Sequence, residues 1–194
     1  MTFGSGVAVP GLVDPKTAVL HKSPNLKLWE GYPLKKWFEA LFHIPVVIEN
    51  DANAAALGER YFGSGRGIND FVYVTVSTGV GSGIVLNGSL VRGTKGAAGE
   101  FGHMTIVPGG LLCPCGKRGC VEAYSSGTAI AEHVKTLLRN GMKSRFFAKL
   151  KLGNITGALV SEAAAAGDRA AIKARETAAC ILGIGLANVI NLLN

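Results

Sequence analysis

The sequence predicts an α/β fold with a helical C-terminal part, and three observations carry that reading. Short apolar runs alternate with amphipathic or Ala-rich segments through the first half. A Gly- and Cys-rich stretch without periodicity, Gly93 to Gly119, follows. Beyond it the chain reads as helix almost to its end. With 194 residues, of which 48% are hydrophobic and 17% charged, it can bury a sizeable core, which excludes a disordered chain.

Each element has a local reason. Gly6 to Pro10 is a short apolar strand ending in a Pro-Gly turn, and its two apolar faces call for neighbours on both sides. Pro33 to Phe42 reads as a helix opened by proline. Pro45 to Ile48 is a buried strand, followed directly by an Ala-rich helix from Asn50 or Asp51 to near Gly63. Phe71 to Val76 and Ser82 to Leu86 are strands joined by the glycine-rich Ser77-Thr-Gly-Val-Gly81, and Asn87-Gly88 signals a hairpin. Helices are expected over Thr128 to Asn140, Ser144 to Leu152, Ile155 to Ala166 and Asp168 to Leu193. Gly141 and Gly167 serve as stops and Asp168 as the last N-cap. Cys180, within an apolar helix, is expected to be a small core residue.

No basic, uninterrupted apolar leader opens the sequence, because Gly4, Gly6, Pro10 and Gly11 break its start. The apolar run Ala178 to Leu193 is interrupted by Asn188 and Asn191 and is shorter than the roughly 18 residues of a membrane span. A soluble, cytoplasmic protein is therefore expected. The formal net charge is +7, but only Lys135, Arg139, Lys143, Arg145, Lys149 and Lys151 cluster. Without interleaved aromatics they read as a solvated helix face, and a nucleic-acid partner is not expected.

Three cysteines in Cys113-Pro-Cys115-Gly-Lys-Arg-Gly-Cys120 form a knuckle in which glycines let thiolates converge. His103, ten residues upstream, is the nearest fourth ligand for a tetrahedral zinc ion. A disulfide framework is the competing reading, and the absence of a leader favours metal. Ser77 to Gly83 joins strand to strand, unlike a Rossmann or P-loop turn; it reads either as a phosphate cradle or as a plain glycine hairpin. Asp51 is either an N-cap or a carboxylate at the end of a strand, where α/β sheets hold ligands and a base can take a hydroxyl proton. Glu100 lies three residues before His103 and Glu122 two after the last knuckle cysteine. These two are either braced by the metal loop or surface ion-pair partners.

The run Ala97-Ala-Gly-Glu100-Phe-Gly-His103-Met, with Cys113-x-Cys115-Gly-x-x-Gly-Cys120-x-Glu122-Ala-Tyr-x-Ser-Gly127, resembles the signature of the ROK family of sugar kinases and sugar-responsive repressors. Ile48-Glu-Asn-Asp51-Ala-Asn-Ala-Ala-Ala56 and Thr78-Gly-Val-Gly81 match it as well, and the similarity runs from about Gly4 to Asn194. The resemblance implies an actin-like ATPase (ribonuclease H-like) fold, divided here into a remainder of an N-terminal lobe at 1–49 and a C-terminal lobe at 50–194. It implies an ATP-dependent hexose kinase, with glucose the expected substrate and Mg²⁺ the nucleotide's metal. Asp51 is then the base, while Asn50, Asp51, Glu100, His103 and Glu122 bind sugar. Thr78, Gly79 and Gly81 meet ATP phosphates, and His103, Cys113, Cys115 and Cys120 hold structural zinc. Assembly into dimers or tetramers through the C-terminal helices is also implied.

Two departures stand out: Ser77 and Ser82 occupy places where the family's loop commonly has glycine. The family's kinases also open with an Asp-x-Gly-Gly-Thr-type phosphate loop, which does not occur in these residues, and extend into an adenosine-binding turn. The sequence is thus expected to be part of a longer frame and, alone, to phosphorylate sugar poorly. The sugar-sensing part of a repressor and a zinc-stabilised module without turnover are the other readings.

Overall fold

A computed structural model describes residues 3–23 and 25–193; Met1 and Asn194, the outer limits of the two expected lobes, lie outside the described residues. The chain divides into two compact units. The first comprises Met1–Thr75 with Gly81–Glu100, and the second Val76–Val80 with Phe101–Asn194. This division differs from a boundary at 49/50, because the strand and helix on either side of that point belong to one packed unit.

In the first unit, β1 (Ser5–Val9) pairs in parallel with β4 (Val46–Asn50), which sets Val9 beside Asn50. A short antiparallel hairpin, β2 (Leu12–Val13) and β3 (Leu20–Lys22), follows β1. The helix α1 (Leu34–Phe42) opens after Pro33 and closes on His43 in the left-handed conformation. Alternation along the parallel pair buries Val9, Val46 and Ile48 together with Val13, Leu20 and Leu34, and this is the unit's core. The helix α2 (Asp51–Phe62) starts on the residue after β4. A three-stranded sheet runs β5 (Phe71–Val76), β6 (Val80–Leu86) and β7 (Ser89–Val91) in that order. Asn87 and Gly88 both have positive φ in the turn between the last two, as the hairpin signal predicts.

The second unit is helical. A one-turn helix α3 (Glu122–Ser125) leads into α4 (Gly127–Arg139), α5 (Gly157–Ala165) and α6 (Arg169–Leu193). The core gathers Val134, Phe147, Ile155, Val160, Ala163, Ala171 and Ala174. Asp168 caps α6 by accepting the N–H groups of Ala170 and Ala171, each at 3.1 Å.

Three expectations need correction. Ser144 to Leu152 is not a helix. Ser144 Oγ donates to Asp168 at 2.6 Å and accepts the Phe147 N–H at 3.0 Å, a local turn that sends Phe147 into the core. Cys180 is exposed: the buried stripe of α6 is Ala170, Ala171, Ala174, Ala178 and Gly185, and two residues past Ala178 the helix has turned about 200°. The early alanines also lengthen the apolar run, so α6, at 25 residues, is long and apolar enough by length and composition to cross a membrane. The β2–β3 hairpin was not anticipated; its strands are too short for a period to register.

Candidate functional site

Within the first unit, Asn50 and Asp51 stand where a parallel strand becomes a helix. Asn50 Oδ1 accepts the Asn53 N–H at 3.0 Å as the N-cap of α2, and its Nδ2 donates to Gly11 O at 3.1 Å. The cap thereby fixes the junction to the turn after β1. Asp51 is exposed at the first helical position; its Oδ1 accepts the Ala52 N–H at 2.9 Å, while Oδ2 accepts from no described residue. The N-cap is therefore Asn50 and not Asp51, whose carboxylate is left facing solvent. Glu100, the last residue of the unit, is exposed.

Ser82 has a structural explanation. It is buried, and its Oγ donates to Gly99 O at 2.6 Å, tying β6 to the turn that precedes Glu100. Gly81 lies inside β6, where an added Cβ would come within 3.1 Å of the Ala52 Cβ, so its smallness lets the strand pack on α2. Two grooves of about 310 and 340 Å³, lined by Leu28, Trp29, Tyr32, Leu34 and Trp37 and by residues around Phe71, contain none of the predicted groups.

In the second unit the four predicted metal ligands converge. The ligand atoms of His103, Cys113, Cys115 and Cys120 all lie within 4.8 Å of one another. Cys115 Sγ and Cys120 Sγ are 3.7 Å apart, as are Cys113 Sγ and His103 Nδ1. Donors bound at about 2.3 Å around a tetrahedral centre are separated by roughly 3.8 Å, so spacing and donor set are compatible with zinc. Backbone bonds shape the knuckle: Cys113 N–H donates to Lys117 O at 2.8 Å, and Gly119 O accepts from Ile106 and Val107. Gly119 has φ +79°, and an added Cβ would overlap Val107 O.

Burial pushes the Cys113 thiol up to about 12, and burial likewise raises Cys120. Desolvation also opposes ionisation of Cys115, but the Lys117 N–H and the neighbouring thiols outweigh it and bring it down. Three thiols this close resist ionising together, and a bound cation reverses that by taking them as thiolates with release of protons.

Glu122, at the start of α3, reaches two ways. Its Oε2 accepts the Val80 N–H at 2.9 Å, and its Oε1 is 3.8 Å from Cys113 Sγ. One side chain therefore touches both the Ser77–Gly79 turn and the cysteine cluster. A Cβ on Gly79 would come within 2.6 Å of Glu122 Oε2, which explains glycine there. Thr128 Oγ1 donates to Thr78 O at 3.0 Å, and Gly127 N–H to Ser77 O at 2.8 Å, so the turn is held from α4 as well. Thr78 is exposed, and the turn's Val80 amide is already engaged by Glu122.

The ROK family model matches residues 2–194. The chain belongs to the ROK family. A putative xylose repressor from Caldicellulosiruptor sp. is 39% identical over 192 residues, covering 99% of this chain and 48% of the repressor. A glucokinase from Halalkalibacterium halodurans is also 39% identical, over 99% of this chain and 58% of the enzyme. The solved ROK glucokinase of Streptomyces griseus, in complex with glucose and AMPPNP, superposes with a TM-score of 0.88 at 40% identity, covering 100% of this chain and 63% of that one. The chain thus spans about half the length of the repressor and three fifths of the glucokinases. ROK membership agrees with the α/β content and the helical second unit.

Proposed function

We propose that this ROK chain carries the sugar-binding and proton-accepting part of an ATP-dependent hexose kinase, glucose being the substrate of choice and O6 the attacking oxygen. The observation that supports it best is the Asn50–Asp51 junction, where Asn50 takes the Asn53 N–H, Asp51 Oδ1 takes that of Ala52, and Asp51 Oδ2 is left to accept a hydroxyl proton. Asn50 retains one amide hydrogen and one lone pair for sugar. Glu100, His103 and Glu122 supply further sugar contacts in this reading.

His103, Cys113, Cys115 and Cys120 would hold zinc, which supplies rigidity and no chemistry of its own. With Nδ1 turned to the cluster, the ring's Nε2 lies on the far edge. Thr78, Gly79 and Gly81 line the phosphate side of the proposal, and Mg²⁺ accompanies the nucleotide. Homo-oligomer formation and a cytoplasmic setting belong to the same reading.

The test is calorimetric titration of glucose, repeated with Mg²⁺-ATP, alongside ADP release. Glucose binding that survives Asp51→Asn while turnover in the longer kinase frame disappears is the expected result. Unchanged turnover in that variant would reject Asp51 as the base. The likeness to a xylose repressor supports a second reading, a sugar sensor without turnover. Sugar binding indifferent to ATP, with xylose preferred to glucose, favours it.

A further inference from the structure

Glu49 precedes the Asn50–Asp51 pair and has no role in the reading above, yet three donors from three places converge on its carboxylate. Arg92 Nε donates to Glu49 Oε2 at 2.7 Å, while Asn53 Nδ2 and the Asn50 N–H donate to Oε1 at 3.1 and 3.0 Å. The Glu49 side chain is only 14% exposed. An acceptor-only carboxylate is the one side chain that satisfies three donors at such a point; a glutamine would set an N–H against one of them. The short, charge-assisted bond to Arg92 compensates a charge that is costly to leave buried alone.

Arg92 lies just past β7, at the start of the turn that ends on Glu100. Its carbonyl accepts the Ala98 N–H at 3.1 Å and closes that turn. Two further contacts anchor the same turn. Ser82 Oγ bonds Gly99 O, and Gly96 approaches Val13 so closely that an added Cβ would overlap Val13 O. One ion pair between residues 43 apart in sequence thus joins the strand-to-helix junction to the turn bearing Glu100, all inside the first unit.

We propose that Glu49 and Arg92 are positioning residues, whose ion pair locks the Asn50–Asp51 junction to the Arg92–Glu100 turn and so sets the sugar-facing groups in register. The role in sugar binding rests on the proposed function; the mechanical coupling does not. The pair touches no substrate and acts only through its neighbours.

The experiment uses the 194-residue chain with Glu49→Gln, Arg92→Gln, Arg92→Lys and the double variant E49Q/R92Q. Amide hydrogen exchange is expected to quicken at least tenfold at Asn50 and Asn53 in Arg92→Gln, and at Ala98 in Glu49→Gln. Glucose affinity should fall five- to tenfold in each single variant and no further in the double, because both remove one interaction. Arg92→Lys, which keeps the cation, should recover part of the affinity at an unchanged melting temperature, and it also serves if Arg92→Gln does not fold. Exchange confined to the neighbours of each substitution would overturn the coupling. Variants that bind glucose like the parent, or singles whose losses add in the double, would overturn the positioning role. If the parent binds no hexose, the sugar reading fails by itself, and the exchange data still decide for or against the lock.

Discussion

The two units place their chemistry-bearing groups by opposite means. In the first, Asn50 and Asp51 occupy a junction made by regular elements: a parallel strand, a helix cap and a set of hydrogen bonds that need nothing from outside. In the second, His103, Cys113, Cys115 and Cys120 sit on irregular backbone, where burial holds the Cys113 and Cys120 thiols up. Formal charge differs too: of the chain's +7, the second unit holds 11 Lys and Arg against 5 Asp and Glu, or +6, and the first only +1. One site is organised by regular elements; the other gathers a donor set compatible with a metal ion on irregular backbone.

That contrast is easiest to break with the metal. Chelating the zinc that this cluster is proposed to hold, or replacing Cys120 with serine, should open residues 104–121 to limited proteolysis while the β1–β4 pair keeps its exchange protection. The loss is expected to be several kcal/mol, as for structural zinc sites. A loop equally resistant without metal would place it in the same class as the first unit. Next in size, Gly119→Ala should cost roughly 2–4 kcal/mol and zinc affinity, since it combines a positive φ with an overlap on Val107 O. Gly116→Ala, at φ +91° with open space around it, should cost only about 1 kcal/mol. Comparing the two by thermal melting separates conformational strain from the tight approach to Val107.

In the first unit, Asn50→Ala should lose the cap of α2, about 1 kcal/mol, without altering metal content. The smallest effect concerns Asp14. The N–H groups of Thr17 and Lys16 hold its carboxyl down at about 2, against an ordinary 3.8. Because the folded value is the lower one, the contribution is present above pH 3.8 and fades as pH falls through about 2. The amide signals of Lys16 and Thr17 should shift over that window.

Much of this was legible in the sequence for a physical reason: the signals were local. Asn50-Asp51 follows an apolar run and opens an Ala-rich helix, and the knuckle's cysteine spacing constrains its own geometry. Glu49 was invisible by the same logic. Alternation along β4 puts it on the side of the exposed Val47, and only an arginine 43 residues later turns that position into a half-buried junction. The false helix at Ser144–Leu152 failed to a long-range partner as well, Asp168 on the far side of α5. Cys180 was misplaced because apolarity all round a helix does not say which face is covered.

The stripe on α6 has a consequence for how this region can drift. Ala170, Ala171 and Ala174 are wholly buried, and Ala178 nearly so, where α3, α4 and α5 pack against the helix. A methyl group is the largest side chain such a seam accepts without forcing the helices apart. Random substitution on that face is therefore filtered for size far more than for polarity pattern, whereas Cys180, Ile184 and Ile190 on the uncovered side are free of that filter. Among variants of this chain, the alanine positions should change least even though no ligand touches them.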